Sequence, residues 1–490
     1  MSLDAAPDTV SSSPMPRRRG MTRRQALTAA VAAGVGVGAV RLLGTTMQTL
    51  SQPPPAAGSD WISPLESESA RVMHLLRRAT FGYTDVELES ALSAGFNRTV
   101  DRLLETAPAE APVFDASPTP GGRFPIAQLQ QWWVNHMLGT PTPYAERMTL
   151  FWHGHFTSDY RKAADNTLMY WQNLTWRRMA LTDLRSMLMQ VTTDPAMLRY
   201  LDLAASTGQS PNENYSRELM ELFTMGPGNY TEEDVRQGAR ALAGWQLPRP
   251  DSYATVTIDN ANSVARRLPV YTTQAPGVFN NRRAYHGTVT FLGQAGSIDT
   301  QGVIDRILVQ PATAQLIAAK VAQDFVNPQP DQVFVTRLAD TFRRSDYDIK
   351  TLMRSVFTSQ EFTAAASYRA LLKSPTELMV HAAKALGATG LSRVIVAAGS
   401  GMGQSLFDPP DVSGWPSNAA WISTNTVVER VNFVTAALGQ TKASLPSASA
   451  AVHRHLEGIV SPQTASLFNQ APDEAARWFI ILASPEFQLK

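Results

Sequence analysis

The chain has 490 residues, 43 of them basic and 42 acidic, for a formal charge of +1. That balance excludes a polyanion binder, whose grip on nucleic-acid phosphates needs a basic excess or a basic face. With 44% apolar and 17% charged residues it also excludes a disordered chain, and the absence of cysteine removes disulfides, thiolate zinc sites, covalent c-type haem and cysteine nucleophiles.

Residues 1–43 read as an export signal. Arg17, Arg18 and Arg19 and then Thr22-Arg23-Arg24 precede a mild apolar stretch from Ala26 to Val40. A basic segment followed by an apolar one resembles a twin-arginine signal. Ala26 stands where such signals often carry a bulkier apolar residue, and no clean A-x-A cleavage site follows. The stretch is shorter and less apolar than the about 20 residues that span a bilayer, so no stable transmembrane segment is expected beyond the signal. Residues 44–66, with Pro53-Pro54-Pro55, read as a Pro-rich linker. The expected location is the cell envelope or the outside of the cell. Twin-arginine export moves folded proteins, which makes a cofactor loaded in the cytoplasm plausible.

From residue 67 to 490 the pattern is that of one large helical domain. Apolar residues recur at three- and four-residue spacing over Glu68–Leu76, Ile126–Leu138, Ala145–Trp152, Asn166–Met179 and Leu184–Val191. Thr231 and Asp234 form a loose capping box for a helix running towards Trp245. Further helices are expected at 313–324, 331–343, 348–358, 373–386, 421–438 and 473–481. The segment 252–292 breaks this pattern with β-branched runs and Gly/Asn turns. The fold class is therefore mainly α, with a short irregular or β excursion near 252–292.

Several segments together resemble a known family. They are His74-Leu75-Leu76-Arg77-Arg78, Trp152-His153-Gly154-His155-Phe156, Asn212-Glu213-Asn214-Tyr215-Ser216-Arg217-Glu218-Leu219-Met220-Glu221-Leu222, Ala241-Leu242-Ala243-Gly244-Trp245 and Asp411-Val412-Ser413-Gly414-Trp415-Pro416. In this order they are similar to the bacterial family catalogued as domain of unknown function 1800, over about residues 67–440. The resemblance implies an exported, largely helical protein, often encoded beside a sulfatase-like family that is a possible exported partner. It brings no reaction with it. Family members tend to carry His where Phe223 stands and a His-Asp pair where this chain has His286-Gly287.

The candidate site follows from helix geometry. Asn214, Arg217, Glu218 and Glu221 lie at i, i+3, i+4 and i+7, on one face of a helix, with Tyr215, Leu219 and Leu222 on the other. Two carboxylates one turn apart suit a metal bound by nitrogen and oxygen ligands, or a general acid and base. The plain alternative is an amphipathic helix with an Arg217–Glu221 ion pair. His155 is the third candidate ligand or proton carrier. His153 cannot join it on a helix, because residues two apart diverge by about 200°. His74 with Arg77 and Arg78 is a candidate cofactor contact, alongside Asn214 and Arg217; their alternative is burial and pairing within the fold.

Trp132, Trp133, Phe151, Trp152, Phe156, Tyr170, Trp171 and Trp176 either pack the core or line a haem or sugar site. The Gly399–Gly403 run lacks the strand-to-helix setting of a dinucleotide fingerprint. The Asp408–Trp421 loop either borders a ligand cleft or clamps the following helix. Lysine is scarce beside arginine, which leaves few candidates for Schiff-base chemistry. The leading expectation is a metal- or cofactor-dependent envelope enzyme centred on Glu218, Glu221 and His155. A partner-binding or escort protein and a glycan-binding module are the alternatives.

Overall fold

The computed structural model describes residues 63–114, 122–258, 264–441 and 445–490. The signal and most of the linker lie outside the described residues. The last four linker residues belong to the fold: Ser63 caps a turn of 3-10 helix at Pro64–Glu66, and Leu65 is buried.

The described chain is mainly helical, with only short antiparallel strands beside the helices. The helices that position the site are α1 (Glu68–Ala79), α2 (Ile126–Gly139), α3 (Pro143–His155), α4 (Asn166–Met179), α5 (Asn214–Glu221), α6 (Glu232–Leu242), α7 (Pro311–Phe325), α8 (Pro375–Ala385) and α9 (Ser392–Gly401). Sequence periodicity places most of them, and local chemistry fixes their ends. Thr231 and Asp234 close a reciprocal capping box on α6. Pro143, Pro311 and Pro375 open α3, α7 and α8 at first-turn positions, where a missing N–H costs nothing.

Two helices absent from the sequence expectations, Asp85–Ala94 and Phe96–Glu105, are joined through Gly95; the second carries Phe96, Val100 and Leu104 at helical spacing. The first buries only Leu88 and Ala91, too narrow a stripe to register as a pattern. The Gly399 run lies within and just beyond α9, with no strand-to-helix turn.

The irregular segment is built of three strand pairs. Ser252–Ile258 (β2) pairs with Val264–Val270 (β3) as a hairpin, and Trp245–Gln246 (β1) pairs with Val278–Phe279 (β4). Val289–Phe291 (β5) and Gln294–Gly296 (β6) form the third pair. β5 reaches the core through Val289 and Phe291. It can do so because α6 carries Gly238, whose added Cβ would sit 3.1 Å from the Phe291 ring.

The apolar side chains gather into two large cores. One joins α1, α3, α5 and α7 through residues such as Leu75, Trp152, Tyr215 and Ile317. The other joins α2, the start of α4, α8, α9 and the C-terminal helices through Trp133, Leu168, Val380 and Trp478. The tryptophans at 132, 133, 152, 171 and 176 are all buried in these cores.

Helix α3 runs between the cores and carries adjacent buried charges, Glu146 and Arg147. Glu146 is 1% exposed and accepts two hydrogen bonds of 2.6 Å from Arg177 of α4, and a third from the Trp133 indole of α2. Burial pushes its carboxyl up, but Arg177 and His136 together hold it down at about 2. Its contribution to stability is therefore present above the ordinary carboxylate range and lost as pH falls towards 2. Glu146→Gln leaves Arg177 buried without a counter-ion and is expected to cost about 3–5 kcal/mol. Urea unfolding of the variant and the parent at neutral and acidic pH checks both the loss and its disappearance in acid.

Candidate functional site

The predicted residues do not meet at one point. Among the described residues, no three His, Asp or Glu side chains stand close enough together to hold a metal ion. Glu218, Glu221 and His155 thus form no shared ligand set. Glu218 is half-buried, and its carboxyl is pushed up first by burial and then by the neighbouring Glu221. Glu221 accepts a 2.6 Å hydrogen bond from the Tyr230 hydroxyl. Arg217 does not pair with Glu221; it forms a bidentate pair with Glu232 and a weaker one with Glu213. Asn214 donates to Asp202. The opposite face behaves as expected, since Tyr215 and Leu219 are buried.

His74 is enclosed in the core, 3.1 Å from the Phe362 carbonyl and against the Phe362 ring. Arg77 is neutralised by Glu457, and Arg78 donates to the Ser367 carbonyl. These three side chains hold the fold together and do not line the cavity described next.

His153 and His155 do diverge on α3. His153 points at Trp133 and Phe407 and accepts from the Phe407 amide. His155 turns the other way, towards the end of the family motif and a lysine on α7. Its Nε2 lies 3.0 Å from the Phe223 carbonyl and its Nδ1 lies 3.1 Å from Lys320 Nζ. A carbonyl can only accept, so Nε2 carries the proton and Nδ1 is the acceptor for Lys320. The same Nζ donates to the Leu222 carbonyl at 3.2 Å. Both carbonyls are freed at the end of α5, where the chain stops making helical bonds. The densest family segment thus reaches this lysine through its backbone, not through its carboxylates.

Lys320 and His155 line a cavity of about 260 Å³ where the two cores meet. The opposite wall is the loop before Trp421, which contributes Ser413, Trp415, Pro416, Ser417, Asn418 and Trp421. The loop borders the cavity. It also holds the following helix, Thr424–Gln440, because the Trp421 carbonyl accepts from the Thr426 hydroxyl at 2.8 Å. Gly414 fixes the approach. Its φ is +91°, and an added Cβ would lie 2.3 Å from the Gly154 carbonyl, so no side chain fits where the loop crosses the end of α3.

The cavity floor is a chain of alternating charges. Arg147 Nε donates to Glu377 of α8 at 2.9 Å, and its Nη2 donates to Asp324 of α7 at 2.5 Å. Lys490 Nζ reaches the same Glu377 at 2.5 Å. Burial pushes the Glu377 carboxyl up, but Lys490 and Arg147 pull it down to about 2. Two cations face two carboxylates here, and each charge is met by an opposite one.

Lys320 is the exception. Burial lowers its amine to about 8, and no carboxylate counteracts that shift. Sequence reasoning passed over it, together with Arg147, Asp324, Glu377 and Lys490. The available signal was a single lysine inside the apolar run Ile317-Ala318-Ala319-Lys320-Val321-Ala322.

The architecture is that of a helical protein with a polar, aromatic-walled cavity between two cores. The profile of the family described as Protein of unknown function (DUF1800) matches residues 74–489, and the chain belongs to that family. No curated protein and no solved structure matches it.

The Lys320 shift has a measurable consequence. Its folded value lies below its ordinary 10.5, so the folded state binds fewer protons than the unfolded state between about 8 and 10.5. Stability contributed by this group therefore rises with pH through that window. The charged and titratable groups facing it are His155 of α3, Asp324 one turn further along α7, and the Arg147–Glu377–Lys490 chain across the cavity. Lys320→Met is expected to flatten the rise, which chemical denaturation at stepped pH would show.

Proposed function

We propose that the protein is an exported enzyme acting on a small polar molecule in this cavity, with Lys320 as its reactive group. One observation carries the reading: a half-buried amine held by two uncharged acceptors opens on a cavity whose other charges are all paired. Leaving an ammonium without a counter-ion costs stability, and such costs concentrate at sites where a group must do chemistry. An amine of lowered proton affinity serves as a general base or a nucleophile near neutral pH. The twin-arginine-like segment at 1–43 supports export of the folded protein. The enzyme reading thus moves from the carboxylates of α5 to the cavity beyond its end.

Turnover can be sought without knowing the substrate. Small-molecule extract from the cell envelope is incubated with the protein or with Lys320→Met and compared by mass spectrometry. At least one compound should be consumed by the parent and not by the variant. An extract left unchanged by the parent protein would overturn the reading.

Partner binding is supported by a different surface. The groove beside β1 and β4 is lined by Arg199, Arg249 and Arg282 with no carboxylate among its lining residues, and Tyr253, Val278 and Phe279 are exposed there. It suits an acidic, partly apolar face of an exported partner, such as the sulfatase-like protein implied by the family resemblance. Cross-linking in the envelope should then yield a stoichiometric partner that Arg249→Glu with Phe279→Asp abolishes; unchanged cross-linking in that variant would exclude the groove.

A further inference from the structure

The chain has seven lysines, and the six within the described residues differ in one respect that bears on chemistry. Lys162, Lys350, Lys384 and Lys490 are paired with Asp202, Glu105, Glu87 and Glu377. Lys373 has no such bond but is sealed against the Phe487 ring and carbonyl. Among these six, Lys320 alone has no carboxylate bond and opens on a cavity.

The hydrogen bonds at its nitrogen suffice for a neutral amine and leave an ammonium one N–H to spare. A neutral Nζ has two N–H bonds, and the protein offers two acceptors, His155 Nδ1 and the Leu222 carbonyl. Once both are used, the remaining tetrahedral position at nitrogen holds the lone pair. An ammonium would instead carry a third N–H there, for which the protein offers no carboxylate. The His155 tautomer is fixed by the Phe223 carbonyl, so the acceptor cannot turn into a donor while that bond holds. His155 is therefore a positioning residue for the amine.

Charge in the cavity narrows what is bound. Arg147 and Lys490 are matched by Glu377 and Asp324, so no unpaired cation waits for a carboxylate or phosphate. The rest of the wall is aromatic and uncharged: Phe151, Trp415 and Trp421, with Gln323, Ser417 and Asn418. The buried Trp415 Nε1–H has no partner within the described residues, which leaves one donor unused on a residue of this wall. Indole faces and neutral hydrogen-bonding groups suit a hydroxyl-bearing, uncharged ligand.

We propose that Lys320 is the nucleophile of an imine-forming site, condensing with the carbonyl of a neutral, hydroxyl-bearing aldehyde or ketone held against Trp415 and Trp421. The inference rests on the cavity being the active site and names its substrate class. The Nζ lone pair forms the C–N bond as the carbonyl π pair moves to oxygen. One amine proton passes to that oxygen, giving a carbinolamine. The C–O bond then breaks and the oxygen leaves as water with the second amine proton, leaving C=N. Amine and carbonyl give imine and water, and no oxidant or reductant is consumed.

The test is reductive trapping on the purified full-length protein. Glyceraldehyde, a neutral hydroxyaldehyde, and glyoxylate, an anionic one, are each added with sodium cyanoborohydride, and modified lysines are mapped by peptide mass spectrometry. At neutral pH, Lys320 should be modified by glyceraldehyde about tenfold or more faster than the carboxylate-paired lysines. That rate should rise with pH through about 8, and glyoxylate should lose the preference for Lys320. Modification spread evenly over the surface lysines, or a preference for glyoxylate, would overturn the proposal. Turnover in the envelope-extract assay with no adduct trapped at Lys320 would also overturn it, while leaving the active-site reading intact.

Discussion

Two adjacent charges buried on one helix constrain much of this molecule. Glu146 and Arg147 are 1% and 3% exposed, and neither can be left alone in a medium that screens charge so weakly. Successive residues on a helix point about 100° apart, so the two reach different neighbours. Glu146 turns to α2 and α4 and takes Arg177. Arg147 turns to α7 and α8 and takes Asp324 and Glu377. Helices from both cores are tied to α3 by the need to neutralise it, and the cavity lies where the Arg147 arm draws them together.

Among the cations of this cavity Lys320 departs from that pattern. The lysines around it are matched with carboxylates or closed off in the core, yet this one keeps only a histidine nitrogen and a carbonyl. A mutation to an apolar residue would be the simple way to stabilise α7 at this point. A fold that satisfies its other charges at this site so fully, and leaves this amine without a counter-ion facing open space, carries a local cost of the kind that function explains.

The segment 212–223 takes on a different role from the one its side chains suggest. Glu218 and Glu221 are only partly buried; they repel one another, and Glu221 accepts from Tyr230. What α5 brings to the cavity is its terminus, where the Leu222 and Phe223 carbonyls set the amine and the tautomer of His155. The Phe223 side chain is buried and packs on Phe156. An aromatic ring there still leaves the backbone carbonyl free to do its part.

Much of the fold is legible in the sequence because helices are local. Apolar spacing places α2, α3, α4, α7 and α8, and a residue such as Thr231 announces its cap three positions ahead of its partner. The divergence of His153 and His155 also follows from helix geometry alone, as does the burial of Tyr215 and Leu219 opposite Glu218. Family membership is legible too, since the motif runs survive as strings of residues. The site is a different matter. Lys320 meets His155 across 165 positions, and Arg147 meets Glu377 across 230. No local pattern tells which buried charge will find a counter-ion and which will not. That is settled only when the two cores close against α3, because the proton affinity of an amine depends on what surrounds it in space and not on its neighbours in the chain.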